Sequence, residues 1–132
     1  MKLITSLLLS GLFTGLLLSV NAADSKKMMK KDTLRHVVAF KFKESASAED
    51  IKKVEDEFRG LTKKIKEIKS FEWGLNNSPE KHNKGTTHGF ILTFKSEKDR
   101  DIYLEHPAHK EFGALVGPLL ADVFVIDFWA QD

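Results

Sequence analysis

Leu34-Arg35-His36-Val37-Val38-Ala39-Phe40-Lys41-Phe42-Lys43 alternates residue by residue. His36, Val38, Phe40 and Phe42 fall on one side, and Val37, Ala39, Lys41 and Lys43 on the other. A period of two is that of a β-strand, whose successive side chains leave opposite faces of a sheet. The stretch therefore predicts a strand with one strongly apolar face and a histidine, His36, on it.

Downstream, Ser47-Ala48-Glu49-Asp50 carries a capping signature, and Ile51, Val54, Phe58, Leu61, Ile65 and Ile68 recur at steps of three and four. This predicts one long helix with a single apolar stripe, its lysines gathered at the end that the helix dipole favours. Phe71 to Leu75 alternates again as a second strand, and Asn76 to Thr87 is a loop rich in turn formers. A third strand runs from about Thr87 to Lys95, with His88, Phe90, Leu92 and Phe94 on one face and Gly89, Ile91, Thr93 and Lys95 on the other. Ser96 caps a second helical region that breaks at His106-Pro107 and resumes toward Gly117-Pro118. Val123 to Trp129, β-branched and aromatic, makes a fourth strand. The order β-α-β-β-α-β predicts an α+β, ferredoxin-like monomer. Its helices cover one sheet face only, and Val37, Ala39, Gly89 and Ile91 on the other are too apolar for water, which predicts a homodimer.

Upstream, Met1-Lys2 precedes an uncharged apolar run from Leu3 to Ser19 and then Val20-Asn21-Ala22. This is the pattern of a signal peptide over residues 1–22, cut after Ala22 or Ala23, and it predicts a secreted or periplasmic protein with no stable membrane association once processed. An uncleaved anchor is the alternative reading. Residues 23–33, with lysines at 26, 27, 30 and 31, read as a basic linker, leaving residues 34–130 as the domain. The sequence contains no cysteine, which excludes disulfides, zinc-thiolate sites, thiol nucleophiles and a lipid-modified amino terminus of the bacterial lipoprotein kind. A formal net charge of +2 gives no argument for nucleic acid.

The chemistry-bearing residues concentrate in Tyr103-Leu104-Glu105-His106-Pro107-Ala108-His109-Lys110-Glu111-Phe112. Pro107 predicts a helix ending near Glu105 and another starting near Ala108. His109 then lies in a first turn, where the positive helix end disfavours an imidazolium and keeps the ring fit to act as a base. His109 as general base, Tyr103 as donor and Val38, Phe40, Phe90, Leu92 and Phe112 as walls would suit a small, mostly apolar substrate between sheet and helices. The alternative for each is structural: His109 bonded to a backbone carbonyl, Tyr103 an amphipathic core residue, His36 and His88 strand-end histidines. No metal site is expected, since Pro107 disturbs the spacing of His106 and His109, and no nucleotide or other cofactor motif is present.

Three separated segments, Leu34 to Lys43, Lys84-Gly85-Thr86-Thr87-His88-Gly89-Phe90 and Tyr103 to Phe112, together resemble the stress-responsive dimeric α+β barrel, or Dabb, family. The resemblance spans Leu34 to Trp129 and implies a dimer whose two sheets close a barrel. In one branch, the plant olivetolic acid cyclases, it implies a general base at His109, a substrate-orienting tyrosine at Tyr103 and a supporting histidine at His88, with His36 matched but without a role. The leading expectation is an exported homodimer that binds a small apolar molecule with His36 and the wall residues. One alternative is a cofactor-independent cyclase, lyase or isomerase, and another is a structural dimer without ligand.

Overall fold

A computed structural model describes residues 33–131; the expected signal peptide over residues 1–22 and the lysines of the expected linker lie outside them. Strand β1 (Leu34–Phe42) is followed by helix α1 (Ala48–Lys64), β2 (Ser70–Leu75), β3 (His88–Phe94), α2 (Glu97–Glu105), α3 (Pro107–Val116), a single 3₁₀ turn (Gly117–Leu119) and β4 (Leu120–Trp129). The sheet is antiparallel in the order β2-β3-β1-β4. With the helices on one face, this is the ferredoxin-like α+β fold that the alternation and stripes predict.

The caps behave as their residue types dictate. Ser47 accepts from the Asp50 amide while Asp50 accepts from the Ser47 amide, a reciprocal box at the start of α1. Ser96 accepts from the Asp99 amide at the start of α2. One expectation needs correction: α1 does not run on to Ile68 but stops at Lys64, with Ile65 extended and its amide still bonded to the Leu61 carbonyl. The chain must reverse before β2 begins at Ser70, and it does so with Ile65 and Ile68 still buried. The apolar stripe therefore outlasts the helix, because burial and helicity are separate demands on those residues.

The core lies between sheet and helices and is largely aromatic. Phe58 of α1 sits at its centre, with ring centroids 4.6 Å from Phe90, 4.6 Å from Phe112, 5.2 Å from Phe71 and 5.9 Å from Phe40. A ring so enclosed cannot be truncated without leaving a void its rigid neighbours will not fill. Phe58→Ala is expected to cost about 3–5 kcal/mol, read as a lowered urea midpoint with an unchanged slope. A loss below about 1 kcal/mol would mean that the core is loosely packed.

Candidate functional site

Register places the first polar pair. His36 of β1 lies directly opposite Asp127 of β4, and its Nδ1 donates to the Asp127 carboxylate at 2.6 Å. Arg100 of α2 reaches the other carboxylate oxygen of Asp127 at 2.9 Å. Arg100 and Tyr103 are three residues apart and share a helix face. The turn that sends Arg100 to Asp127 therefore sends Tyr103 to His36, with ring centroids 5.7 Å apart. Tyr103 is 1% exposed, and burial, with a further contribution from the Asp127 carboxylate, pushes its phenol well above the ordinary 10.0. The phenol therefore stays protonated at neutral pH.

The helix break supplies the third ring. His106 caps α3, its Nδ1 accepting from the Ala108 amide at 3.1 Å, and Pro107 takes the first helical position, where no amide is needed. This brings His109 against Tyr103 at 4.4 Å between centroids. His109 Nδ1 donates to the Leu104 carbonyl at 3.1 Å. A carbonyl can only accept, so the neutral ring carries its lone pair on Nε2, the arrangement a general base requires. Burial lowers its pKa below the usual 6.5, helped by the nearby His36; the Leu104 carbonyl and Glu105 pull the other way.

His36, Tyr103 and His109 thus converge. His88 stands apart, at the β3 position paired with Phe40, four residues along β1 from His36, or roughly 13 Å of strand. Its Nδ1 meets the Thr87 hydroxyl at 2.8 Å and its Nε2 the Glu55 carboxylate at 3.0 Å. It lies face to face with Trp73 at 6.2 Å. With both nitrogens engaged, this ring ties the start of β3 to α1. The expected pocket walls, Val38, Phe40, Phe90, Leu92 and Phe112, are buried against one another and Phe58, so the space between sheet and helices is filled at their level. A cavity of about 880 Å³ lies instead on the open face of the sheet, lined by Val37, Ala39, Gly89, Ile91 and Phe124.

Asp127, Arg100 and Glu55 complete these clusters and were not singled out from the sequence. Asp127 had a signal: it is the one charge within the apolar run Val123 to Trp129, on the side shared by Val125 and Trp129. Arg100 and Glu55 had none, being charges on helices that carry many. Among the described residues no group of three or more potential ligands could hold a metal ion.

The profile of the Stress responsive A/B Barrel Domain family matches residues 34–130. The stress-response A/B barrel domain-containing protein HS1 of Arabidopsis thaliana is 36% identical over 98 residues, covering 74% of this chain and 90% of that protein. The olivetolic acid cyclase of Cannabis sativa is 24% identical over 95 residues, covering 72% and 94%. Among solved structures, a dimeric ferredoxin-like protein of unknown function from Thermobifida fusca superposes with a TM-score of 0.65 at 22% identity, covering 74% of this chain and 90% of that one.

The lowered His109 pKa makes a stability prediction with a definite sign. The unfolded chain takes up this proton at about 6.5, whereas the folded chain resists it. The contribution is therefore complete above that pH and is lost as pH falls through the lower folded value. Urea titrations at pH 7.5 and 5.5 should show the wild type losing more stability than His109→Gln over that interval; equal losses would refute a depressed pKa.

Proposed function

The chain belongs to the stress-responsive A/B barrel (Dabb) family, and on that premise we propose that it is the protomer of an exported homodimer that binds a small, mostly apolar molecule against His109 and moves a proton on it. The observation that carries this reading is the His109 ring itself: oriented by the Leu104 carbonyl, kept neutral by burial, and packed on Tyr103. His109 Nε2 takes a proton from an activated C–H, and the Tyr103 hydroxyl stabilises the oxygen on which negative charge develops. His36 backs Tyr103, held in place by Asp127, which Arg100 holds in turn. The ligand lies at the half-buried flank of His109, since the aromatic interior is occupied. The kind of reaction, cofactor-independent cyclisation, lysis or isomerisation, is supported by likeness to the olivetolic acid cyclase. Dimerisation is supported by the apolar open face and by the dimeric relative. Export is supported by the leader-like first residues.

Binding without turnover is the second reading, favoured by the bond from His109 to Leu104, which would serve equally to lock the break at Pro107.

A panel of alkyl and aryl ketones in deuterated buffer separates the two, with exchange at the α-carbon followed by NMR. The wild type should accelerate exchange of at least one of them, and His109→Ala should lose about 10²–10⁴ of that acceleration. The acid limb of the wild-type rate should fall below pH 6.5, where the neutral ring persists. Saturable binding with no exchange, unchanged in rate by His109→Ala, would leave the binding reading and remove the catalytic one.

A further inference from the structure

Topology gathers one kind of charge at one end of the sheet. Leu34 at the start of β1 pairs with Phe94 at the end of β3 and with Trp129 at the end of β4, and Ser70 at the start of β2 pairs with Thr93. Helix α1 returns to this end before β2 begins, and α2 departs from it. Lys63 therefore arrives here from α1, Lys66 and Lys69 from the turn that follows, and Lys95 and Lys98 from the junction of β3 and α2. All five are exposed, and none makes an ion pair among the described residues. The acids at the same end are drawn aside. Glu67 is 8% exposed, Asp101 and Asp127 are held by Arg100, and Glu97 accepts from the Trp129 indole at 3.5 Å. That leaves Asp99, half-buried in the first turn of α2.

Two more features join this end. Trp129, 38% exposed, presents an amphipathic ring of the kind that settles at a lipid headgroup boundary. The chain enters the domain here, at Thr33, so that Lys26, Lys27, Lys30 and Lys31 cannot lie more than roughly 25 Å from it in any conformation. We infer that this end of the domain docks on an anionic lipid surface, its lysines facing the headgroups and Trp129 entering among them. Lysine is a compact, hydrated point charge without the planar fork that recognises one phosphate or one base, which suits a diffuse field of headgroups better than a nucleic-acid groove. Each lysine close to such a surface strengthens binding about fivefold, and salt screens the attraction within a Debye length. The contact is therefore reversible and distinct from insertion of the leader. It sits at the ends of the strands, so neither the pairing of copies through the open face nor the chemistry at His109 requires it, and it stands if either of those readings fails.

The full chain, expressed with its leader, is titrated with vesicles of phosphatidylcholine alone or of equal parts phosphatidylcholine and phosphatidylserine, each carrying a nitroxide-labelled lipid that quenches tryptophan on contact. Quenching should develop on the anionic vesicles, stay near baseline on the neutral ones, and vanish in Trp129→Phe. Lys66→Gln, Lys69→Gln and Lys95→Gln combined should weaken anionic binding by roughly 30-fold or more. Lys53→Gln, Lys81→Gln and Lys84→Gln combined change the net charge equally, at exposed positions away from this end, and should weaken it by about threefold at most. Both sets remove exposed lysines without ion pairs, so circular dichroism and the urea midpoint should hold, and the leader is common to every variant and cancels in the comparison. Equal weakening by the two sets would reduce the effect to net charge and overturns the inference. So does Trp129 quenched alike on both lipids, or on neither. Tighter binding to a single-stranded DNA oligonucleotide than to the anionic vesicles at equal phosphate, lost with Lys66, Lys69 and Lys95, would give this end to nucleic acid and overturns it too.

Discussion

The register of β1 between β3 and β4 is the constraint on which the rest depends. β1 is paired on both sides, and each residue from Leu34 to Phe40 sits level with a fixed partner on either neighbour. That register puts His36 beside Asp127 on the helix side, and Ala39 between Gly89 and Phe124 on the open side. A slip of one residue would exchange the faces, sending His36 to the open side and the apolar helix-side residues into water. Leu34, Val38 and Phe40 hold against such a slip, each nearly or wholly buried. Core burial thus fixes the position of a polar pair that contributes little hydrophobic energy itself.

Proline is the second constraint, and it works through local chemistry. A continuous helix through residues 97–116 would carry His109 around a straight axis, and its ring would not return to the Leu104 carbonyl. With Pro107 at the first position of α3, the chain ends one helix, turns at an extended His106 and starts another. The freed carbonyl of Leu104 then finds His109 as its donor. The same bond satisfies an orphaned helix-end acceptor and sets the imidazole tautomer, so the structural and chemical roles of His109 are consequences of one geometry. Burial against Tyr103 works against protonation while the carbonyl works for it, and the direction of the pKa shift shows that desolvation prevails.

Much of the fold was legible because it rests on period. Alternation at Leu34 to Lys43 and at Thr87 to Lys95, the stripe from Ile51 to Leu61 and the break at Pro107 each correspond to an observed element. The boundary at Lys64 was not legible, since Ile65 and Ile68 keep the helical spacing after the helix has stopped. The site was legible in part. His36, Tyr103 and His109 lie on faces that periodicity assigns to the helix side, and they meet there. What periodicity does not carry is position along the sheet: His88 shares their face but lies four residues further along β1, beside Glu55. Nor does it carry whether an apolar face is lined or filled. Phe40, Phe90 and Phe112 serve equally as walls or as packing, and Phe58, whose ring reaches all three, makes them packing.

The two faces of the sheet have solved opposite problems with the same strands. On the helix side, volume is in excess: large rings meet within van der Waals distance, and the buried histidines are paired with charged groups at two places, His36 with Asp127 and Arg100 at the start of β1 and His88 with Glu55 further along it. On the open side, volume is deficient at Gly74, Gly89 and Ala39 and surplus at Phe124, Ile126 and Phe128. A monomer gains nothing from either the deficit or the surplus. Glycines weaken the strands they interrupt, and exposed aromatic and β-branched side chains on an edge strand invite unwanted pairing. The cost becomes intelligible when deficit and surplus are matched across a twofold axis. The strand that carries Asp127 to the candidate site also carries Phe124 on the open face. The candidate site and the open face are thus joined through a single strand, with no element between them to absorb the difference.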